Sequence, residues 1–215
     1  MKIGVLGTGM VGQVIASALH RRDHDVKMGA REAANEKSVG WARAAGKGAS
    51  SGTFADAAAH GEMVFNCTAG GVSLSALRLA GASNLDGKVL VDLANPLDFS
   101  QGFPALSVCN TDSLAEQIQR EFPNTRVVKS LNTINCNLMV DASRVPGEHD
   151  VFVAGNDPEA KARVASLLRE DFGWKNVLDL GDLTGARPLE MQVLMWLRLY
   201  NALGTPDFNV HVVKR

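Results

Sequence analysis

What the chain has little of narrows its class first. Three cysteines occur in 215 residues: Cys67, Cys109 and Cys136. They lie far apart, form no CxxC pair and sit among apolar or small neighbours. Neither a disulfide framework nor a structural zinc site is expected, and a reducing, cytoplasmic setting fits. Net charge is nearly absent: 22 basic against 23 acidic side chains leave a formal charge of -1. No overall field draws the chain to nucleic acid or to an anionic membrane, so anion recognition has to be local. No apolar run approaches the roughly 18 residues that suggest a bilayer span. A basic-then-apolar leader is not expected either, because the first strand begins at once. No internal repeat, low-complexity tract or linker is visible. Tyr200, the one tyrosine, falls in the last helical segment.

What is present is alternation. Apolar strand runs in "KIGVLGTG", "DVKMGA", "MVFNCT", "GKVLVDLANP", "TRVVKSLNTI", "DVFVAGND" and "NVLDLG" alternate with helical patterns. The first helix carries Val11, Val14, Ile15, Ala18 and Leu19 at helical spacing. Asn35 to Ala45 is weakly helical, with Val39, Trp41 and Ala42 as candidate buried positions. Gly46–Gly52 is expected as a loop, Thr53 and Ser113 as helix caps, and Pro158 near a helix start. Gly70 and Gly71 are expected to end the third long strand, with a helix from Val72. Strands that are apolar on both faces, joined by helices, indicate an α/β doubly wound parallel sheet. The expectation is a single domain over 1–215, with a dinucleotide-binding core at 1–155 and a small C-terminal α/β extension at 156–215.

"GTGMVG" closes the first strand and opens the first helix. It sets Gly7, Gly9 and Gly12 in G-x-G-x-x-G spacing, the fingerprint of a Rossmann-like phosphate turn in this context. Gly7 permits the tight turn, Gly9 lets a pyrophosphate approach the backbone, and Gly12 lets the helix pack on the strand. Free amides from Thr8 through Met10 and Val11, with the helix dipole behind them, suit the anion. About 20 residues on, an NAD enzyme usually carries an acid for the ribose hydroxyls. Here the second strand ends in Gly29-Ala30-Arg31. Ala30 cannot bond a hydroxyl. The planar fork of Arg31 suits a 2′-phosphate, and Lys37 adds charge. The preferred cofactor is therefore NADP(H) over NAD(H).

With these pieces in hand the chain resembles the NADP oxidoreductases that depend on the deazaflavin coenzyme F-420. It is also similar to the oxidoreductase domains of metalloreductases and, more remotely, to pyrroline-5-carboxylate reductases. The resemblance rests on "KIGVLGTGMVGQVIASAL", "GAREAANEK", "VFNCTAGG", "LVDLANPLD", "VVKSLNTI", "DVFVAGNDPEAKARVASLL" and "LGDLTGARPLE", in that order. It implies hydride transfer between NADP(H) and a flat acceptor, a deazaflavin or flavin, stacked near the nicotinamide. It also implies roles for particular residues. Gly7, Thr8, Gly9, Met10, Val11 and Gly12 match the pyrophosphate turn, and Ala30, Arg31 and Lys37 the 2′-phosphate cluster. Thr68 and Ala69 match the loop that passes over the cofactor, and Ala94, Asn95 and Pro96 the segment beside the nicotinamide. Asn132, Thr133 and Asn135 match the acceptor side. Relatives often pair, so a homodimer is expected.

Hydride transfer to such an acceptor needs orientation and a dry pocket rather than a strong base. The polar residues at the strand ends are amides and hydroxyls, which agrees, and no catalytic acid or base and no metal site is assigned. An alcohol dehydrogenase would need a positioned proton donor. Lys129 is the best candidate, although a lysine within a strand is expected to face solvent. Asp92, in a buried strand, is expected to anchor a loop by hydrogen bonds. His20 and His24 are expected at the surface, and Cys67 and Cys136 as packing groups near the cofactor face. Met191, Leu194, Met195, Trp196 and Leu199 form an apolar set that is either core or subunit interface. An imine or carbonyl reductase and a non-catalytic NADP(H) sensor are the alternatives.

Overall fold

The computed structural model describes residues 1–100 and 102–215. The chain begins with β1 (Lys2–Leu6), α1 (Met10–His20), β2 (Asp25–Ala30), α2 (Glu36–Ala45), β3 (Ala49–Thr53), α3 (Phe54–His60) and β4 (Met63–Asn66). It continues with α4 (Gly70–Ala80), α5 (Ala82–Leu85), β5 (Val89–Asp92) and a small antiparallel hairpin of β6 (Leu97–Asp98) and β7 (Ala105–Leu106). α6 (Leu114–Glu121), β8 (Arg126–Ser130), the short α7 (Cys136–Met139), β9 (Asp150–Gly155), α8 (Pro158–Glu170), β10 (Asn176–Asp179) and α9 (Ala186–Leu203) complete it.

One eight-stranded sheet runs in the order β10-β9-β8-β5-β4-β1-β2-β3. From β3 to β8 all neighbours are parallel. The chain winds outward from β1 in both directions, which is the Rossmann-like α/β topology. It opens a crevice at the carboxyl ends of β1 and β4, where strand order reverses. The parallel expectation fails at one seam, for β9 lies antiparallel to β8 while β10 is parallel to β9. The cause is the connection. Between β8 and β9 the chain forms only α7 and one 3-10 turn at Ala142–Arg144, and a parallel crossover usually needs a longer covering helix.

Two local expectations are also corrected. Part of the Gly46–Gly52 segment is not loop but β3, paired with β2 from Ala49 to Thr53. Its sequence, ASSGT, has no apolar signal; backbone pairing at the sheet edge makes the strand. Gly70 and Gly71 belong to the first turn of α4 rather than ending β4. Other starts follow the capping chemistry. Thr53 and Asp56 form a reciprocal capping box on α3. Ser113 accepts from the Glu116 amide, and Asp157 with Pro158 opens α8. In α2 the buried residue is Ser38, while Val39, Trp41 and Ala42 are half-buried.

Alternation along the strands divides the core. Met63, Phe65, Val89, Val91 and Val128 pack with Ile15, Leu19, Leu168 and Trp174 on one face. Val64, Leu90 and Val127 pack with Leu77, Leu85 and Ile118 on the other. Burial of each such side chain stabilises the fold by about 1.5–3 kcal/mol. At the far edge the C-terminal tail docks on β9. The Asp150 amide donates to the Val210 carbonyl at 2.9 Å, and its carboxylate accepts from the Val212 amide at 2.6 Å.

Candidate functional site

The glycine turn sits where β1 meets α1. The Gly7 amide donates to the Gly29 carbonyl at 3.0 Å, tying the turn to β2. Gly7 has a φ of 119°, and a Cβ there would lie 2.7 Å from the Cys67 carbonyl oxygen. At Gly12 an added Cβ would collide with the Gly7 carbonyl. Both positions therefore demand glycine. Gly9 differs, because a Cβ there meets nothing within 4 Å. It is the N-cap of α1, whose first turn has neither a capping side chain nor an acid. Its leading amides, around Met10 and Val11, are thus left for an outside acceptor, as a pyrophosphate would require. Gln13 fixes the turn by donating its Nε2 to the Thr8 carbonyl at 2.9 Å.

Ala30 ends β2 and is buried, whereas Arg31 and Lys37 are exposed. Both follow the carboxyl end of β2, one strand from the glycine turn.

Beside the turn a cavity of about 300 Å³ gathers Val11, Thr68, Ala69, Ala94 and Asn95. Five of the expected cofactor contacts thus line one space. Gly70, Gly71 and Phe99 line it too and were not anticipated, since the α4 start was misplaced and the hairpin was unseen. A wider hollow of about 810 Å³ lies at the opposite end of the strands, beside Arg126 and Asn156. It is remote from the glycine turn, and we take the smaller cleft as the site. Pro96 adjoins this cleft, its carbonyl accepting from the Ser107 amide at 2.8 Å.

Asn132, Thr133 and Asn135 are not among the lining residues. Asn132 and Thr133 are buried, and Asn135 caps α7 by accepting from the Asn137 amide. Asn132 is bound to the cleft wall: Asn95 Nδ2 donates to its carbonyl at 2.8 Å, and its own Nδ2 donates to Asn95 Oδ1 at 2.9 Å. The same Nδ2 reaches the Leu189 carbonyl at 2.9 Å, which fixes the amide's orientation. Asn132 Oδ1 then remains buried without a partner among the described residues. The preceding Leu131 holds a φ of 64°, a strained conformation for leucine.

A row of polar groups crosses the sheet behind the cleft. Asn66, Asp92 and Lys129 are register neighbours on β4, β5 and β8, and all are fully buried. Lys129 therefore does not face solvent as expected. Its Nζ lies 2.7 Å from Asp92 Oδ2 and 2.9 Å from Glu190 Oε1, and it also donates to the Ala94 carbonyl. Burial alone would lower the Lys129 pKa, but Asp92 and Glu190 outweigh it and hold the ammonium above the usual lysine range. It is a locked cation rather than a poised acid. Asp92 anchors a loop as expected: Oδ1 accepts from Asn66 Nδ2 at 2.7 Å and from the Ala94 amide at 3.3 Å. Asn66 Oδ1 in turn accepts from Thr68 Oγ1 at 2.7 Å, and Ser73 Oγ joins the pair.

Glu190 was missed. It stands among the apolar residues of α9, and its oxygens accept from the Leu114 and Ala115 amides at 2.8 and 3.1 Å, closing the start of α6. Burial raises its pKa, with Lys129 opposing. Cys67 lines the cleft, and burial with nearby Asp92 pushes its thiol far up, so it stays protonated. Burial likewise raises Cys136. His24 pairs with Asp171 at 3.0 Å and His20 bonds the Lys47 carbonyl, both away from the cleft.

A doubly wound sheet with a glycine turn at its switch point places the chain in the Rossmann-like α/β class. Residues 2–96 match the family model described as NADP oxidoreductase coenzyme F420-dependent. A crystal structure from Arthrobacter sp. FB24, described provisionally as an F420-dependent NADP-reductase, is 50% identical. It covers 100% of both chains with a TM-score of 0.94. The F420-dependent NADP reductase of Methanocaldococcus jannaschii is 29% identical over 137 residues, which is 63% of this chain and 60% of that protein's length. The chain belongs to the coenzyme F420-dependent NADP oxidoreductase family. An imine reductase from Streptomyces aurantiacus shares the fold, with a TM-score of 0.67 at 19% identity, over 94% of this chain and 63% of that one. No helix among the described residues is long and apolar enough to cross a membrane.

Proposed function

We propose that the chain is a reductase that passes hydride between NADP(H) and a flat acceptor, a deazaflavin or flavin. The carrying observation is the cleft itself. It joins a glycine turn with free helix amides to walls of hydroxyl, amide and apolar groups, and among the described residues that line it none is an acid, a histidine or a lysine. When bound, NADP(H) supplies the two-electron hydride chemistry. The chain's own groups orient and exclude water. The amides of Thr8 to Gly12 take the pyrophosphate, and Arg31 with Lys37 takes the 2′-phosphate. Thr68, Ala69, Ala94, Asn95 and Pro96 shape the nicotinamide end. Asn132, Thr133 and Asn135 support the acceptor side from behind, Asn132 by its paired hydrogen bonds to Asn95 on the cleft wall. The locked state of Lys129, held by Asp92 and Glu190, argues against its serving as the proton donor that an alcohol dehydrogenase needs. Family membership supports the deazaflavin as acceptor.

Anaerobic mixing of the purified protein and NADPH with a 5-deazaflavin, FMN, FAD or a cyclic imine tests this reading. Oxidation of NADPH at 340 nm (a property of the cofactor) is expected with the deazaflavin or a flavin. Turnover with the imine alone would sink it. We further propose a homodimer, supported by the exposed Met191, Met195, Tyr200 and Leu203 on α9.

A further inference from the structure

We propose that Lys129 is a positioning residue for hydride transfer, acting through the cleft walls without touching cofactor or acceptor. The proposal rests on the cleft being the nicotinamide end. Three observations carry it.

First, the ammonium is fully buried and saturated. It has Asp92, Glu190 and the Ala94 carbonyl as partners, which uses all three of its protons. A lysine so held does not transfer protons; it fixes the groups around it. Secondly, those groups lead to both sides of the cleft. The Ala94 carbonyl is bonded directly, and the Ala94 amide bonds to Asp92. On the opposite wall, Asp92 holds Asn66, and Asn66 with Ser73 holds the Thr68 hydroxyl. Ala94 and Thr68 thus take their spacing from one buried charge. Thirdly, the C-terminal helix enters the same arrangement. Glu190 braces Lys129 and caps α6, while the adjacent Leu189 carbonyl holds Asn132, which is paired with Asn95. A buried cation with two carboxylates has a desolvation cost that hydrophobic packing does not. What it adds is direction, since hydrogen bonds fix where a wall atom points and dispersion contacts do not.

The phosphate grips lie elsewhere, at the glycine turn and Arg31. Loss of the ammonium is therefore expected to separate binding from chemistry. The test compares full-length wild type, Lys129→Met and Ser73→Ala. NADPH affinity is measured by fluorescence titration, and hydride transfer by single turnover with a 5-deazaflavin at saturating NADPH. Circular dichroism establishes that each variant is folded. In Lys129→Met the dissociation constant should stay within about threefold, while the transfer rate falls about 10- to 100-fold, the scale set by small misplacements of reacting groups. Ser73→Ala, which removes one of the two partners of the Thr68 hydroxyl and leaves Asn66 and the charges in place, should lower the rate in the same sense and by less. Transfer at the wild-type rate in folded Lys129→Met would overturn the proposal, as would affinity falling in step with rate. If Lys129→Met does not fold, Ser73→Ala decides, and a wild-type rate there is fatal. A wild type that binds no NADPH would instead defeat the reading of the cleft, and the proposal with it.

Discussion

Arg31 and Lys129 are both cations at the carboxyl ends of parallel strands, and their surroundings give them opposite tasks. Arg31 is exposed beside the glycine turn, so it can meet a ligand anion. A charge-assisted bond to a phosphate contributes about 1.5–3 kcal/mol. Arg31→Ala should therefore weaken NADPH binding by roughly 10- to 100-fold and leave NADH binding nearly unchanged. Titrating both nucleotides checks this, and equal weakening would remove the 2′-phosphate assignment. Gly12 makes a second residue-scale case. A methyl group there meets the Gly7 carbonyl, and overpacking of this kind costs about 1–3 kcal/mol. Gly12→Ala should lower the denaturation midpoint and abolish NADPH fluorescence enhancement together. The need for glycine at position 12 was legible from spacing, because the glycine turn is a local device read along one strand, one turn and one helix. Lys129 was not, because its partners are 37 and 61 residues away. A signal existed all the same. "MVFN", "VLVD" and "RVVK" each place a polar residue after apolar ones, and parallel register aligns these three polar positions into one buried row.

At the scale of elements, α9 is the least expected participant. Its apolar spacing suggested core or interface, but its buried face is Ala186, Leu189, Glu190 and Val193, a stripe offset from the Met191-to-Leu199 set. The offset brings a carboxylate inward to close the α6 start and brace Lys129. Removal of one partner from a buried ion pair costs about 3–5 kcal/mol, so Glu190→Ala should lose about that much in urea unfolding. A change below ~1 kcal/mol would mean that Glu190 is a solvated charge. Alkaline titration tests the same cluster from the other side. The Lys129 pKa is raised in the folded chain from an ordinary 10.5. Its contribution is therefore fully present below that unfolded value and is lost as pH rises through the folded value. The wild type should lose stability above pH 10.5 more steeply than Lys129→Met, as read from urea midpoints between pH 9 and 11.5. The element pattern as a whole was readable because doubly wound strands are apolar on both faces. The exceptions are β3, which lacks any apolar pattern, and the reversed β9, whose direction depends on how little helix the preceding connection forms.

At the scale of the whole molecule, the sheet has one edge at β3 and the other at β10, and the C-terminal tail docks near the second. The outer side of α9 lies in this region and is unusually apolar for a surface. Met191, Met195, Tyr200 and Leu203 are exposed, and Trp196 stacks between Tyr200 and Phe208 with ring centroids 5.5 Å apart on each side. Trp196 Nε1 is buried without a partner among the described residues. A two-fold interface is isologous, so in the proposed dimer this helix face would meet its own copy across the axis. A stable dimer typically buries about 800 Å² on each partner, within the reach of an 18-residue helix and the adjoining tail. Two-fold pairing through α9 would also stiffen the helix that carries Glu190 and so couple assembly to the cleft. Light scattering after size exclusion should give twice the chain mass for the wild type. Met195→Lys, which places two like charges near each other across the axis, should give the single mass with folding intact and a reduced rate of NADPH oxidation. A wild type that elutes as a monomer at micromolar concentration would remove the dimer. A Met195→Lys variant that is monomeric and fully active would keep the dimer and remove its coupling to the site.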